Sequence, residues 1–256
     1  MGIFNNKPTR ALMLILSALV FIGVLISRHY YKGINEAVDP RVKEARLLYE
    51  KYNDYAKTNS FDSIFHLMDS IEAVYSKYPH YKNSFETGVL YNNKAASYIT
   101  MALYLDSTSK QPEMQDSIFS MAETMVTKSI AIYTEWLEQF ENKSREDIKN
   151  QIEPEFYKGL EQYSRELQEA FIDNRIEEIQ EAQLETKRRL SVSYTNLGII
   201  KRQRMQYEEA AKHYKTALDL WEQNLTAENN LNLLLGNPLK ERSFLRKLFP
   251  PERNKK

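Results

Sequence analysis

Residues 191–224 read SVSYTNLGIIKRQRMQYEEAAKHYKTALDLWEQN. Apolar and small residues recur at three- and four-residue intervals on both sides of a polar turn at Arg202–Gln206, the pattern of two short amphipathic helices. Tyr194, Leu197 and Gly198 belong to the first helix, and Tyr207, Ala210, Tyr214, Ala217 and Leu220 to the second. Small residues at Gly198, Ala210 and Ala217 let the two helices approach closely, while Tyr194, Leu197 and Tyr214 fill the space around them. The segment is a helical hairpin, with its tyrosines Tyr194, Tyr207 and Tyr214 expected at packing positions between helices.

Two weaker copies stand upstream. Phe119, Ala122, Val126, Ser129, Ile132 and Tyr133 align without a gap on Tyr207, Ala210, Tyr214, Ala217, Leu220 and Trp221. Tyr91 and Ala95 then take the places of Tyr194 and Gly198, once about 15 extra residues are admitted near 104–118. The segment Leu103–Asp116 is polar and contains Pro112, so it reads as a loop holding that insertion. A third copy puts Phe61, Ile64, Met68, Ile71, Val74 and Tyr75 on a second helix, after a first helix bearing Leu48, Tyr52 and Tyr55. The string Asp-Ser-Ile-Phe at 62–65 and at 116–119 permits a register one helical turn away.

The unit 191–224 resembles a tetratricopeptide repeat, a 34-residue helix–turn–helix family. Tyr194, Leu197, Gly198, Ala210, Tyr214 and Ala217 match its pattern, while Lys201 and Glu222 stand where a tyrosine and a proline are usual. The resemblance implies an all-α solenoid whose first helices line a concave groove for a protein or peptide partner. Thr195, Ile199 and Arg202, with Asn92 and Ala96 in the earlier copy, would face that groove. Related repeats grip acidic peptide ends with Lys and Asn clusters; Asn92, Asn196 and Arg202 are too few to imply that mode here.

Around the repeats the chain divides as follows. Residues 41–236 form the helical domain, with repeat-like segments at 45–78, 88–135 and 191–224. An insert at 137–190, rich in Glu, Gln, Lys and Arg, fits no repeat. Its Phe156, Leu160, Tyr163, Leu167 and Phe171 read as a stripe on one helical face, part of a hairpin that breaks near Pro154 and runs on into residue 191. Ala227, Leu231 and Leu234 suit a capping helix over 225–236, ended by Gly236-Asn237-Pro238. The basic segment 237–256 reads as a disordered tail, its alternative a docking or membrane-surface segment built on Phe244, Leu245, Leu248 and Phe249.

At the other end, after a short segment 1–10, residues 11–27 read ALMLILSALVFIGVLIS, without a charge. This run predicts an uncleaved single-pass transmembrane helix, flanked by Lys7 and Arg10 before it and Arg28 and Lys32 after it, with a linker at 28–40. The flanking charges nearly balance, and the reading places the large domain outside the cytoplasm, on the periplasmic side of a bacterial inner membrane.

Composition narrows the rest. The chain has 256 residues, 35 basic and 35 acidic, and such a balance offers no field to draw nucleic acid. With no cysteine there are no disulfides, thiol nucleophiles or cysteine metal sites. Seven glycines are too few for sheet turns and phosphate loops, and they form no nucleotide motif. His29, His66, His80 and His213 lack metal-ligand spacing, and His213 reads as a surface residue. The expectation is therefore a membrane-tethered scaffold or adaptor, not an enzyme, with no cofactor or metal, serving envelope assembly, secretion or quality control. Its alternative is a structural subunit that self-associates as a homo-oligomer without a peptide client.

Overall fold

The computed structural model describes residues 38–108 and 112–241; these are all-α, with no strand among the described residues. The helices are α1 (Lys43–Glu50), α2 (Tyr52–Lys57), α3 (Phe61–Tyr75), α4 (Pro79–Lys82) and α5 (Phe85–Thr108), followed by α6 (Pro112–Phe140), α7 (Arg145–Phe156), α8 (Arg165–Gln203), α9 (Tyr207–Leu220) and α10 (Leu225–Leu235). They pair as hairpins: α1 and α2 lie on α3, α5 lies on α6, and the C-terminal part of α8 lies on α9. Each second helix also meets the next first helix, α3 on α5 and α6 on α8, so the hairpins stack in chain order. α10 then packs on α8 and α9.

Local signals start and stop these elements. In α3 the residues Ile64, Met68, Ile71 and Tyr75 recur on one face, and all are buried. α7 opens with a capping box in which Ser144 Oγ accepts the Asp147 N–H and the Asp147 carboxylate accepts the Ser144 N–H, both at 3.2 Å. α10 is capped by Asn224, whose Oδ1 accepts the Ala227 N–H at 3.0 Å, and ends at Gly236 with φ 71°.

Two close crossings set the hairpin geometry. A Cβ placed on Gly198 would enter the ring of Tyr214, and one placed on Gly88 would lie 2.6 Å from Cε1 of Tyr133. Both tyrosines are fully buried, and neither hydroxyl has a partner in the chain. The pair Gly88–Tyr133 thus repeats the pair Gly198–Tyr214. It lies seven residues, or about two helical turns, from the register anchored on Ala95 and Val126. That register remains tempting because Ala95 and Val126 are themselves buried in one cluster further along the same hairpin.

Three local expectations change. The segment expected to hold a loop insertion is helical instead: α5 runs to Thr108 and α6 starts at Pro112, so the added residues lengthen both arms. The stripe from Phe156 to Phe171 does not lie on one helix, because residues 157–164 interrupt it. There Gly159 has φ 80°, Arg41 donates to the carbonyls of Phe156 (2.7 Å) and Lys158 (2.8 Å), and Ser164 caps α8. Phe156, Leu160 and Phe171 are nevertheless buried together, which is why their spacing imitates a helix. Finally, Tyr207 is 54% exposed at the start of α9, Tyr194 is half-buried, and only Tyr214 fills a crossing. Tyr194 stacks on a half-buried His213, so His213 is not a free surface residue.

The expected capping helix is present as α10, and α8 does run unbroken through residue 191. After α10 the chain folds back, with the Lys240 N–H donating to Asn229 Oδ1 at 2.7 Å and Asn229 Nδ2 donating to the Lys240 carbonyl at 2.9 Å. The anchor expected at 11–27 and most of the basic tail, from 242 onward, lie outside the described residues. Among the described residues, no helix is long and apolar enough to cross a membrane.

Candidate functional site

Phe85 and Val89 stand to Gly88 as Thr195 and Ile199 stand to Gly198, so they occupy the positions where a first helix faces away from its partner. Both line a cleft of about 390 Å³ between α1, α3, α5 and the middle of α8. That volume falls within the range of ligand pockets, roughly 300–1,000 Å³. Tyr49, Tyr75 and Phe85 supply aromatic surface, and Val89, Leu90 and Ala182 supply aliphatic surface. Arg46, Glu86, Glu178, Glu181, Glu185 and Arg189 supply charge of both signs.

The charged groups are mostly committed to one another. Arg175, only 2% exposed, donates to Glu86 at 2.5 Å and to Glu178 at 3.1 Å and lies over the Tyr81 ring at 4.4 Å. Glu178 also pairs with Arg46 at 2.5 Å, tying α1 to α8. Removing an arginine from water costs several kcal/mol, so this charge is tolerable only because two carboxylates and an aromatic face surround it. Burial alone would push the Glu86 carboxyl up; the Arg175 guanidinium outweighs it and holds Glu86 below the ordinary carboxylate range. The cleft wall is thereby fixed: Tyr81 donates to Asp39 at 3.0 Å, and Asp39 pairs with Arg41. One network joins the chain before α1 to α4, α5 and α8.

The residues expected to line the groove divide. Asn92 is buried, and its Oδ1 accepts from Ser193 Oγ (3.0 Å) and from Asn196 Nδ2 (2.9 Å), sewing α5 to α8. Thr195 is also buried, its hydroxyl donating to the Ser191 carbonyl and accepting from Asn224 Nδ2. Arg202 donates to Asn230 Oδ1 on α10 at 2.8 Å. Ala96, Asn196 and Ile199 are half-buried, with Ile199 packed against the cluster of Ala95 and Val126. None of these six lines the cleft. The residues that do line it lay one register away, and the signal that could have found them was a glycine, Gly88, spaced for the bulky Tyr133.

No protein-family model matches this chain, and no curated protein or solved structure shows a significant match to it. The site is therefore read from its own chemistry. Every carboxyl with a displaced pKa is displaced downward, as for Glu72 and Glu86, so these groups stay charged and are poor proton donors at neutral pH. Among the described residues, no group of three His, Asp or Glu could hold a metal ion. What the cleft offers is shape, aromatic surface and a rigid charged rim.

Proposed function

We propose that the chain is a binding module of the tetratricopeptide type, tethered to a membrane by residues 11–27, that holds a segment of a protein partner in the cleft between its first helices. The observation that carries this reading is the cleft itself. An aromatic and aliphatic floor of Tyr49, Phe85, Val89 and Ala182 is open to a ligand, while the ion pairs of its wall are already satisfied within the chain. Apolar anchoring with a pre-organised polar rim is how a groove captures one or two side chains of a peptide without ordering costs of its own. Tethering raises the effective concentration of the module near other membrane proteins. Envelope assembly, secretion or quality control suit such an adaptor.

The reading is tested by replacing Val89 with arginine, which fills the cleft with a second long cation while leaving the Gly88–Tyr133 crossing in place. Co-purified partners should be lost without loss of folded protein. Retention of the same partners by a folded Val89→Arg variant would reject the cleft as the binding site. Copies of this chain recovered as its sole partner would replace client binding with self-association.

A further inference from the structure

Arg175 stands between the cleft and a second cavity of about 230 Å³, lined from α4, α6, α7 and α8. Three polar atoms on its walls have no partner in the chain: the indole Nε1–H of Trp136, the Nε–H of Arg175 and Nε2 of His80. Trp136 is 4% exposed and Arg175 2%, so both donors are cut off from bulk water. Buried polar groups are nearly always satisfied, and three orphans on one cavity mark it as built to hold something.

Their chemistry specifies what. The His80 ring hydrogen-bonds the Glu155 carbonyl, and with Nε2 unpaired that bond belongs to Nδ1–H. Burial, aided by the charges of Arg41 and Arg175, keeps the ring neutral, so Nε2 is a bare acceptor. The cavity therefore presents two N–H donors and one acceptor. A carboxylate would bring only lone pairs to His80, and the Arg175 charge is already matched by Glu86 and Glu178. A cation would meet two donors. An alkyl group would leave all three atoms unpaired. A single water, whose share of liquid volume is about 30 Å³, satisfies some of these atoms but fills little of the space. A primary carboxamide answers every atom, since its oxygen accepts twice and its nitrogen donates. Phe140, Ile152 and Ile179 provide an apolar wall for the stem that carries it.

We infer that this cavity is a binding site for a primary carboxamide, its oxygen held by Trp136 and Arg175 and its nitrogen donating to His80. The site is independent of the cleft and of the reading given for it.

The test uses the full-length chain in detergent micelles with nitrogen-labelled tryptophan, following the indole N–H resonance of Trp136 by NMR. Propionamide and capped glutamine are the two amide probes, and propionate is the matched acid. The account expects the Trp136 indole signal to shift saturably with at least one amide and not with propionate. Saturation by capped glutamine alone assigns the site to a side chain of a partner, and saturation by propionamide alone assigns it to a small free amide. Trp136→Phe keeps the ring but loses the donor, and should weaken binding by roughly threefold to tenfold. Equal shifts with propionate, or no shift with either amide, would overturn the inference and leave a cavity that holds water only. The wild-type resonance decides this even if the variant does not fold.

Discussion

Gly88→Ala tests whether the close crossing, rather than general helicity, sets the fold. The new Cβ would lie 2.6 Å from Cε1 and 2.9 Å from Cδ1 and Cζ of Tyr133. Non-bonded carbons rest at about 3.5–4.0 Å, so the ring must move by roughly 1 Å. It has little room: Tyr133 is fully buried, its ring packs on Phe85 with centroids 5.7 Å apart, and Ser129 Oγ holds α6 to the Gly88 carbonyl at 2.9 Å. Overpacking costs about 1–3 kcal/mol, and three ring atoms inside contact distance place this case at the upper end. Alanine returns about 1 kcal/mol through helix propensity. The net expectation is a loss of about 2 kcal/mol, or a Tm lower by roughly 4–8 °C for a domain of this size. Urea and thermal unfolding of the full-length chain would measure it. Tyr133→Leu in the same background should recover part of the loss, giving a coupling of at least about 0.5 kcal/mol in a double-mutant cycle. A Gly88→Ala variant as stable as the parent, or more stable, would show that the crossing does not constrain the hairpin.

Other outcomes follow from the same contacts. Tyr133→Phe removes a buried hydroxyl that has no partner, so unfolding should show unchanged or slightly raised stability, by up to about 1 kcal/mol. Asn224→Ala removes a helix cap and two bonds to Ser191 (2.8 Å) and Thr195 (2.9 Å); loss of about 2–3 kcal/mol and faster amide exchange at Ala227 are expected. Arg175→Met leaves Glu86 buried without its main cation and should cost about 3–5 kcal/mol at pH 7. Because Arg175 lowers the Glu86 pKa in the folded chain, its contribution is complete above the unfolded value of about 4.3 and is lost as pH falls below it. The difference between parent and variant should therefore narrow between neutral and acidic urea titrations; a constant or wider gap would contradict that role for the pair.

Much of the architecture was legible because it rests on period. The apolar faces of α3, α9 and α10, the Gly198–Tyr214 crossing and the continuity of α8 all follow from residues three and four apart. Register was not legible in the second hairpin, since Ala95 and Val126 offer a small-and-large pairing as good locally as Gly88 and Tyr133. Only contact across the hairpin tells them apart. The break at 157–164 was hidden for a similar reason: Leu160 is buried in a turn held by Arg41, which is far away in sequence. The cleft and the carboxamide cavity join α1 to α8 and α4 to α6, and no local pattern in sequence brings such residues together.

The most direct measurement is photo-crosslinking in cells from Val89, in the cleft, set against Met121, which is exposed outside it. The account predicts that Val89 captures one defined segment of a partner protein, mapped by mass spectrometry, and that Met121 does not. Capture of that segment equally from both positions, or from Met121 alone, would contradict the claim that the cleft is where this protein binds.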